Sequence, residues 1–200
     1  NGEIAFAVVF SYACIFNPCI HILSFDTVAD CVDACPQDPG VQYPGTCDCG
    51  FVSVTYGGKS VCASPIRKAE DFIHLRDQWN SASTHPDETY WILLNDINLA
   101  DAITADEAAS WSGVTGFDGV FSLNGSTIKY LNGSNSTLTC KTSNCGLFNS
   151  LTNKAIIDGI QVNYSLTSSN SFAGLIAGNA TSEVEIKNVT ATGNVNGSST

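Results

Sequence analysis

Three copies of one short phrase constrain this chain more than anything else in it: GVF at Gly119, GLF at Gly146 and GLI at Gly174, spaced 27 and 28 residues apart. Repetition at a period in the range of 20 to 50 residues marks a stacked-repeat architecture. A second phrase follows each copy: IKYL, IDGI and IKNV. These phrases place Ile128, Ile157 and Ile186 in one column and Leu131, Ile160 and Val189 in another, each 29 apart. The segments are rich in β-branched residues, Gly, Asn, Ser and Thr, alternate as in Val184 and Ile186, and lack a helical period. They read as short strands. A unit this small cannot bury its apolar side alone, so successive units must stack with parallel strands about 4.8 Å apart. The leucine-rich alternative shares the period but needs L-x-x-L-x-L followed by Asn, which is absent here. The expected fold class is therefore mainly β, a parallel β-solenoid (β-helix).

The segment FAGLIAGNATSEVEIKNVTATGNVNG, Phe172 to Gly197, is similar to a GLUG-type repeat of extracellular β-solenoid and adhesin-like proteins. Upstream, WILLNDINLA (Trp91 to Ala100) and GFDGVFSLNGSTIKYL (Gly116 to Leu131) resemble the segments that precede such repeats in filamentous-haemagglutinin-like and surface-associated proteins. The resemblance spans about residues 70 to 200 and implies architecture. It transfers no catalytic residues, because function resides in sites rather than folds.

Composition points outside the cell. The chain has 200 residues, nine cysteines, no methionine, 14% charged residues and a net charge of −11, which disfavours nucleic acid as a partner. Seven cysteines, Cys14, Cys19, Cys31, Cys35, Cys47, Cys49 and Cys62, crowd the first 62 residues, and Cys140 and Cys145 form a separate close pair. The reading is a disulfide-rich module in an oxidising compartment. Zinc would need C-x-x-C pairs or neighbouring histidines, and neither occurs. The odd total leaves one thiol either buried and free or bridged to another chain. The stretch TVADCVDACPQDPG, with CDCG after it, is similar to small cysteine-rich modules, including carbohydrate-binding ones, with a short helix over Thr27 to Cys35.

Sequons of the form N-x-S/T occur at Asn124, Asn132, Asn135, Asn163, Asn179, Asn188 and Asn196, and none precedes residue 124. One reading is N-glycosylation of an extracellular surface. The other makes them turn and ladder asparagines, since Asn tolerates the left-handed conformation and stacks its amides.

From Ile4 to Ser24 no residue carries a formal charge except His21 when protonated, and IAFAVVF is continuously apolar. A signal-peptide core is disfavoured by the missing basic leader, and a membrane span by Asn17, Pro18 and two cysteines. The preferred reading is an extended buried strand, within its own module or inserted into a partner. At the other end, repeat spacing puts the next glycine at about position 203, past Thr200, so the stack is expected to end without a cap. Together these suggest head-to-tail assembly with further copies of the chain. Ile4, Phe6, Val8, Val9, Phe10, Ile15 and Phe16 of one subunit would cover the open end of the next. A fragment of a longer solenoid would give the same missing cap.

Residues Ala69 to Trp79 carry Phe72, Ile73, Leu75 and Trp79 on one side, the spacing of a short amphipathic helix that would cap the first strands. TADEAASWSG reads as an excursion placing Trp111 near the surface or against that helix. Catalysis finds little support. From Gly119 onward the only acids are Asp158, Glu183 and Glu185, and Asp118 with Gly119 reads as a turn. His21, His74 and His85 all precede the repeats. The expected organisation is an apolar N-terminal strand plus cysteine-rich module over 1–65, a capping helix and linker over 66–90, and repeats over 91–200. The expected function is that of a non-enzymatic, N-glycosylated structural subunit of an extracellular filament or surface layer, with no cofactor or metal. The alternative is an adhesin or carbohydrate-binding cell-surface module, which would display aromatics such as Trp91, Trp111 and Tyr130 along one face.

Overall fold

A computed structural model of the chain describes residue 47 and residues 51–82, 89–123, 125–169, 172–181 and 183–197. Contacts divide the chain into two compact units, Asn1–Cys62 and Ala63–Thr200. The expectations for Cys14, Cys19, Cys31, Cys35 and Cys49, for the Thr27–Cys35 helix, and for the apolar segment Ile4–Phe16 lie outside the described residues.

In the first unit, β1 (Val52–Tyr56) and the start of β2 (Lys59–Ile66) are adjacent strands joined by Gly57-Gly58, a hairpin connection. Ser53 and Ser60 share a hydroxyl hydrogen bond of 2.8 Å across it. A disulfide joins Cys47 to Cys62 with Cα atoms 5.4 Å apart.

The second unit is mainly β with little helix. Helix α1 (Ala69–Ser81) forms where the spacing predicts it. Asp71 accepts the Arg67 and Lys68 N–H groups at 2.8 and 3.1 Å, satisfying donors that a helix start leaves free. Its apolar side, Ala69, Phe72, Leu75 and Trp79, is buried. Phe72 meets Phe121 edge-on at 6.1 Å and Trp79 lies 4.7 Å from Phe117, joining an aromatic core that continues to Phe148.

The strands follow in chain order: β3 (Tyr90–Leu93), β4 (Ile97–Asn98), a 3-10 turn at Leu99–Asp101, the one-turn helix α2 (Ala105–Ala108), β5 (Val120–Leu123), β6 (Thr127–Lys129), β7 (Thr137–Cys140), β8 (Asn144–Cys145) and β9 (Phe148–Leu151). Then come β10 (Ile156–Asp158), β11 (Gln161–Asn163), β12 (Ser165–Ser168), β13 (Phe172–Ala173), β14 (Ala177–Ala180), β15 (Glu185–Lys187), β16 (Thr190–Thr192) and β17 (Val195–Gly197). They pair in separate sheets: β2-β3-β5-β10-β15, β4-β6-β11-β16, β7-β12-β17, β8-β13 and β9-β14. Every pairing among β2 to β17 is parallel, and each joins a strand to its counterpart one repeat later.

The ladder corrects the repeat alignment read from sequence. Ile157 does pair with Ile186, but its earlier partner is Phe121, while Ile128 pairs with Val162 and Ile97. Leu131 belongs to no buried column and is 48% exposed. The stretch that lies against GLF is not GVF at Gly119 but GVT at Gly113: Val114 bridges Phe148, and the Gly113 backbone lies against the Gly146 and Leu147 carbonyls. The physical reason is a repeat length that changes along the chain. Val120 pairs 36 residues ahead with Ile156, whereas Ile156 pairs 29 ahead with Glu185. Trp111 is buried against α1, with the Arg76 guanidinium over its ring at 5.4 Å and its indole N–H donated to Gly146 O at 2.9 Å. Of the two placements expected for it, the surface one is excluded.

Candidate functional site

Two surface features invite a functional reading, and the geometry separates them. The first is a cavity of about 230 Å³ lined by Arg76, Asp77, Asn80, Glu107, Ser110 and Ser112. Helix α1 supplies Arg76, Asp77 and Asn80, and α2 with its following turn supplies the rest. The lining groups are already engaged by the fold. Arg76 Nε donates to Asp77 at 2.7 Å. Asn80 donates to Gly113 O at 3.1 Å and accepts from the Thr115 N–H at 2.8 Å. Ser110 Oγ donates to Asp106 O, and Ser112 Oγ accepts from Asn149. The N–H and hydroxyl of Thr104 both donate to Glu107, and these two hydrogen bonds, the backbone one foremost, hold its carboxyl below the ordinary carboxylate range. The cavity is a polar seam between α1 and the α2 turn.

The second feature is the outer edge of β15, β16 and β17. Along the apolar columns burial is complete at the middle strands and falls at the last. Ile157 and Leu166 are fully buried, but their partners Ile186 and Val195 are 45% and 42% exposed. Phe172, on β13, is 59% exposed. Backbone groups follow the same pattern. Glu185 and Lys187 spend theirs on β10 through Glu185 N–H to Ala155 O at 2.9 Å and Gly159 N–H to Lys187 O at 3.2 Å, which turns the amide of Ile186 outward. Thr190 and Thr192 likewise face β11, leaving Ala191 outward, and Asn194 accepts from Leu166, leaving Val195 outward. Among the described residues, a row of apolar side chains and N–H donors thus lies open on one edge.

The acids of the last repeats are tied to their neighbours. Lys187 lies 3.1 Å from Glu185 and 3.8 Å from Asp158, and Asp158 accepts from Asn188 at 2.8 Å. Asp118 accepts from Asn153. His74 is exposed on α1. Among the described residues no three His, Cys, Asp or Glu side chains gather as a metal site would require. No helix of the described residues is long and apolar enough to cross a membrane.

Cys140 and Cys145 are joined by a disulfide across a corner of the second unit, both buried, with Cα atoms 5.9 Å apart. Of the sequon asparagines, Asn124 lies outside the described residues, and Asn132, Asn135, Asn163, Asn179, Asn188 and Asn196 are all exposed. Asn188 also fills a structural role: at φ 51° it takes the corner that Gly159 occupies one repeat earlier at φ 75°. Trp91 and Tyr130 do not form an exposed ladder with Trp111, for Tyr130 and Trp111 are each 1% exposed. Sequence reading missed Gly113 as a member of the close-packed glycine column. It also missed a hairpin at Asn132–Asn135, which the Asn-Gly dipeptide signals. No family model, curated protein or solved structure matches this chain.

Proposed function

We propose that the chain is a parallel β-solenoid acting as a non-catalytic structural subunit of an extracellular filament or surface layer. Its outer strands β15 to β17 form the surface on which the next subunit docks. The observation that carries this reading is the jump in exposure along the apolar columns, from fully buried Ile157 and Leu166 to half-exposed Ile186 and Val195 beside outward-facing amides. An apolar edge with free donors is a template for strand addition. The covering segment is the uncharged stretch containing Ile4, Phe6, Val8, Val9, Phe10, Ile15 and Phe16 of a neighbouring copy, whose composition suits a strand buried on both faces. Helix α1, packed on Phe117 and Phe121, serves as the cap at the opposite end of the ladder. Two buried disulfide sulfurs in the repeats and seven more cysteines in the chain support an oxidising, extracellular setting.

Electron microscopy of the purified chain under non-reducing conditions tests this directly, beside a variant lacking Ile4–Leu23 and a full-length Ile186→Lys/Val195→Lys variant. Filaments from the native chain and dispersed particles from both variants are the expected result. Dispersed particles from the native chain overturn the proposal. Filaments from the deletion variant overturn the role of the apolar segment.

A further inference from the structure

The strand register exposes an insertion that the repeat frame does not need. Lys129 pairs with Asn163 and Thr137 with Ser165. Between the first of each pair and the second lie residues 130–136 on one strand path and Tyr164 alone on the other. Tyr130 and Tyr164 are equivalent, both 1% exposed, so the extra six residues are Leu131–Ser136. They form a hairpin of their own. Asn132 and Asn135 exchange backbone hydrogen bonds of 2.8 and 3.0 Å, closing a turn with Gly133 at φ 60° in its first central position. A positive φ at the first central position and none at the second, Ser134, is the signature of a II′ hairpin, and a Cβ on Gly133 would meet nothing within 4 Å. Residues 131–135 are all exposed.

This hairpin consists of two overlapping acceptor motifs, Asn132-Gly-Ser and Asn135-Ser-Thr. We propose that it is a modification hairpin that carries one N-linked glycan, with Asn135 the acceptor. Asn135 Oδ1 accepts the Thr137 N–H at 3.0 Å, which holds the side chain over the third residue of its own motif through its oxygen and not its Nδ2. Asn132 has no such bond among the described residues and sits opposite Asn135 on the same side of the hairpin. Cβ atoms of a directly opposed pair lie about 5 Å apart, so a glycan on Asn135 occupies the space one on Asn132 would need. Because Asn132 to Asn135 bond to one another and not to the neighbouring parallel strands, a bulky substituent there costs no ladder hydrogen bond. Asn163, Asn179 and Asn196 lie inside β11, β14 and β17, and the Asn188 amide is engaged with Asp158.

The chemistry is group transfer from an oligosaccharide activated as a diphosphate. Asn135 Nδ2 forms a bond to the sugar C1, the C1–O bond to the diphosphate breaks, the diphosphate leaves with the bonding pair, and Nδ2 gives up one proton. Nothing is oxidised or reduced. The glycan stands on the flank between β6 and β7, away from the β15–β17 edge, so this inference does not rest on the assembly reading.

The full chain secreted from glycosylating eukaryotic cells provides the test. Enzymatic glycan release in heavy-oxygen water converts each occupied Asn to isotopically labelled Asp, which peptide mass spectrometry locates. The expected result is label at position 135 with position 132 unlabelled, and loss of one glycan mass in Thr137→Val with the melting temperature within a few degrees of the parent. Should that variant fail to be secreted, Asn135→Gln reads the same loss. Label at 132 alone, at both positions, or at neither overturns the assignment, including the case of a chain that carries no label anywhere.

Discussion

A methyl group has no room at Gly146. An ideal Cβ there would lie 2.7 Å from Gly174 O, 2.8 Å from Phe148 O and 2.9 Å from Gly178 N, all of them backbone atoms that cannot swing aside. Gly113 one repeat earlier meets the Gly146 and Leu147 carbonyls in the same way. Gly146→Ala therefore overpacks the column and is expected to cost about 1–3 kcal/mol. In a unit of this size that lowers the melting temperature by roughly 2–4 °C per kcal/mol. Gly197→Ala, which meets open space, should leave it within about 1 °C. A melting temperature for Gly146→Ala equal to the parent's would show that the column can spread. Tyr164 is the other residue with sharp consequences. It is buried, its hydroxyl donates to Leu175 O, and burial drives the phenol well above its ordinary value of about 10. With the folded value raised, the stability this group contributes is intact below about pH 10, where the unfolded phenol titrates, and is lost as pH climbs toward the folded value. Tyr164→Phe removes one of the two hydrogen bonds to the Leu175 carbonyl, which still accepts the Leu147 N–H at 3.3 Å, and should cost about 0.5–1.5 kcal/mol at neutral pH. Thermal melts of both proteins from pH 8 to pH 11 should show that gap narrowing above pH 10, and a gap constant across the range would refute the linkage.

Among the elements, α1 and the β7–β8 corner carry the most. The helix was legible in the sequence because Phe72, Leu75 and Trp79 repeat at helical spacing, and the structure buries those three residues with Ala69. The repeats were legible as repeats, yet their frame was not. A constant period was assumed, while the Leu131–Ser136 insertion lies between β6 and β7 and a longer path separates β7 from β9 than the one that leads from Trp111 to Val114. Two chance matches then misled the alignment: Gly119, whose close neighbour is Thr89 O, and Leu131, an apolar residue in a solvent hairpin. Pairing in a ladder depends on register, and register is a property of two strands that neither sequence displays by itself. The Cys140–Cys145 disulfide staples the corner where one of those longer paths begins. Its closed loop is short, so by the chain-entropy argument it contributes about 2 kcal/mol. Cys140→Ala/Cys145→Ala should melt roughly 4–8 °C lower than the parent under non-reducing conditions. A double variant that melts with the parent would place the corner's stability in the packing of Leu147 and Phe148 alone.

Across the second unit each parallel strand pairs with neighbours one register step away, and among the described residues stability is expected to fall toward the edge strands. Among the described residues β10 to β12 have partners on both sides, while β15 to β17 have them on one. The open edge itself was only half legible. The repeat period told that strands would stack, but the half-exposed state of Ile186 and Val195 depends on which column each joins, and that required the ladder. This geometry yields a prediction that separates edge docking from other modes of association. In dispersed subunits, amide hydrogen exchange should be fast at Ile186, Ala191 and Val195, whose N–H groups face away from the ladder, and slower at Glu185 and Thr190, whose N–H groups donate to Ala155 O and Ile160 O at 2.9 Å each. Assembly through the edge satisfies the first set and leaves the second nearly unchanged. Residue-resolved exchange before and after assembly should therefore show protection rising at alternate positions along β15 to β17. A uniform rise over the whole repeat would report general burial or stiffening, and no rise at Ile186, Ala191 and Val195 in assembled material would remove the edge as the interface, because a strand cannot be added there without capturing those three donors.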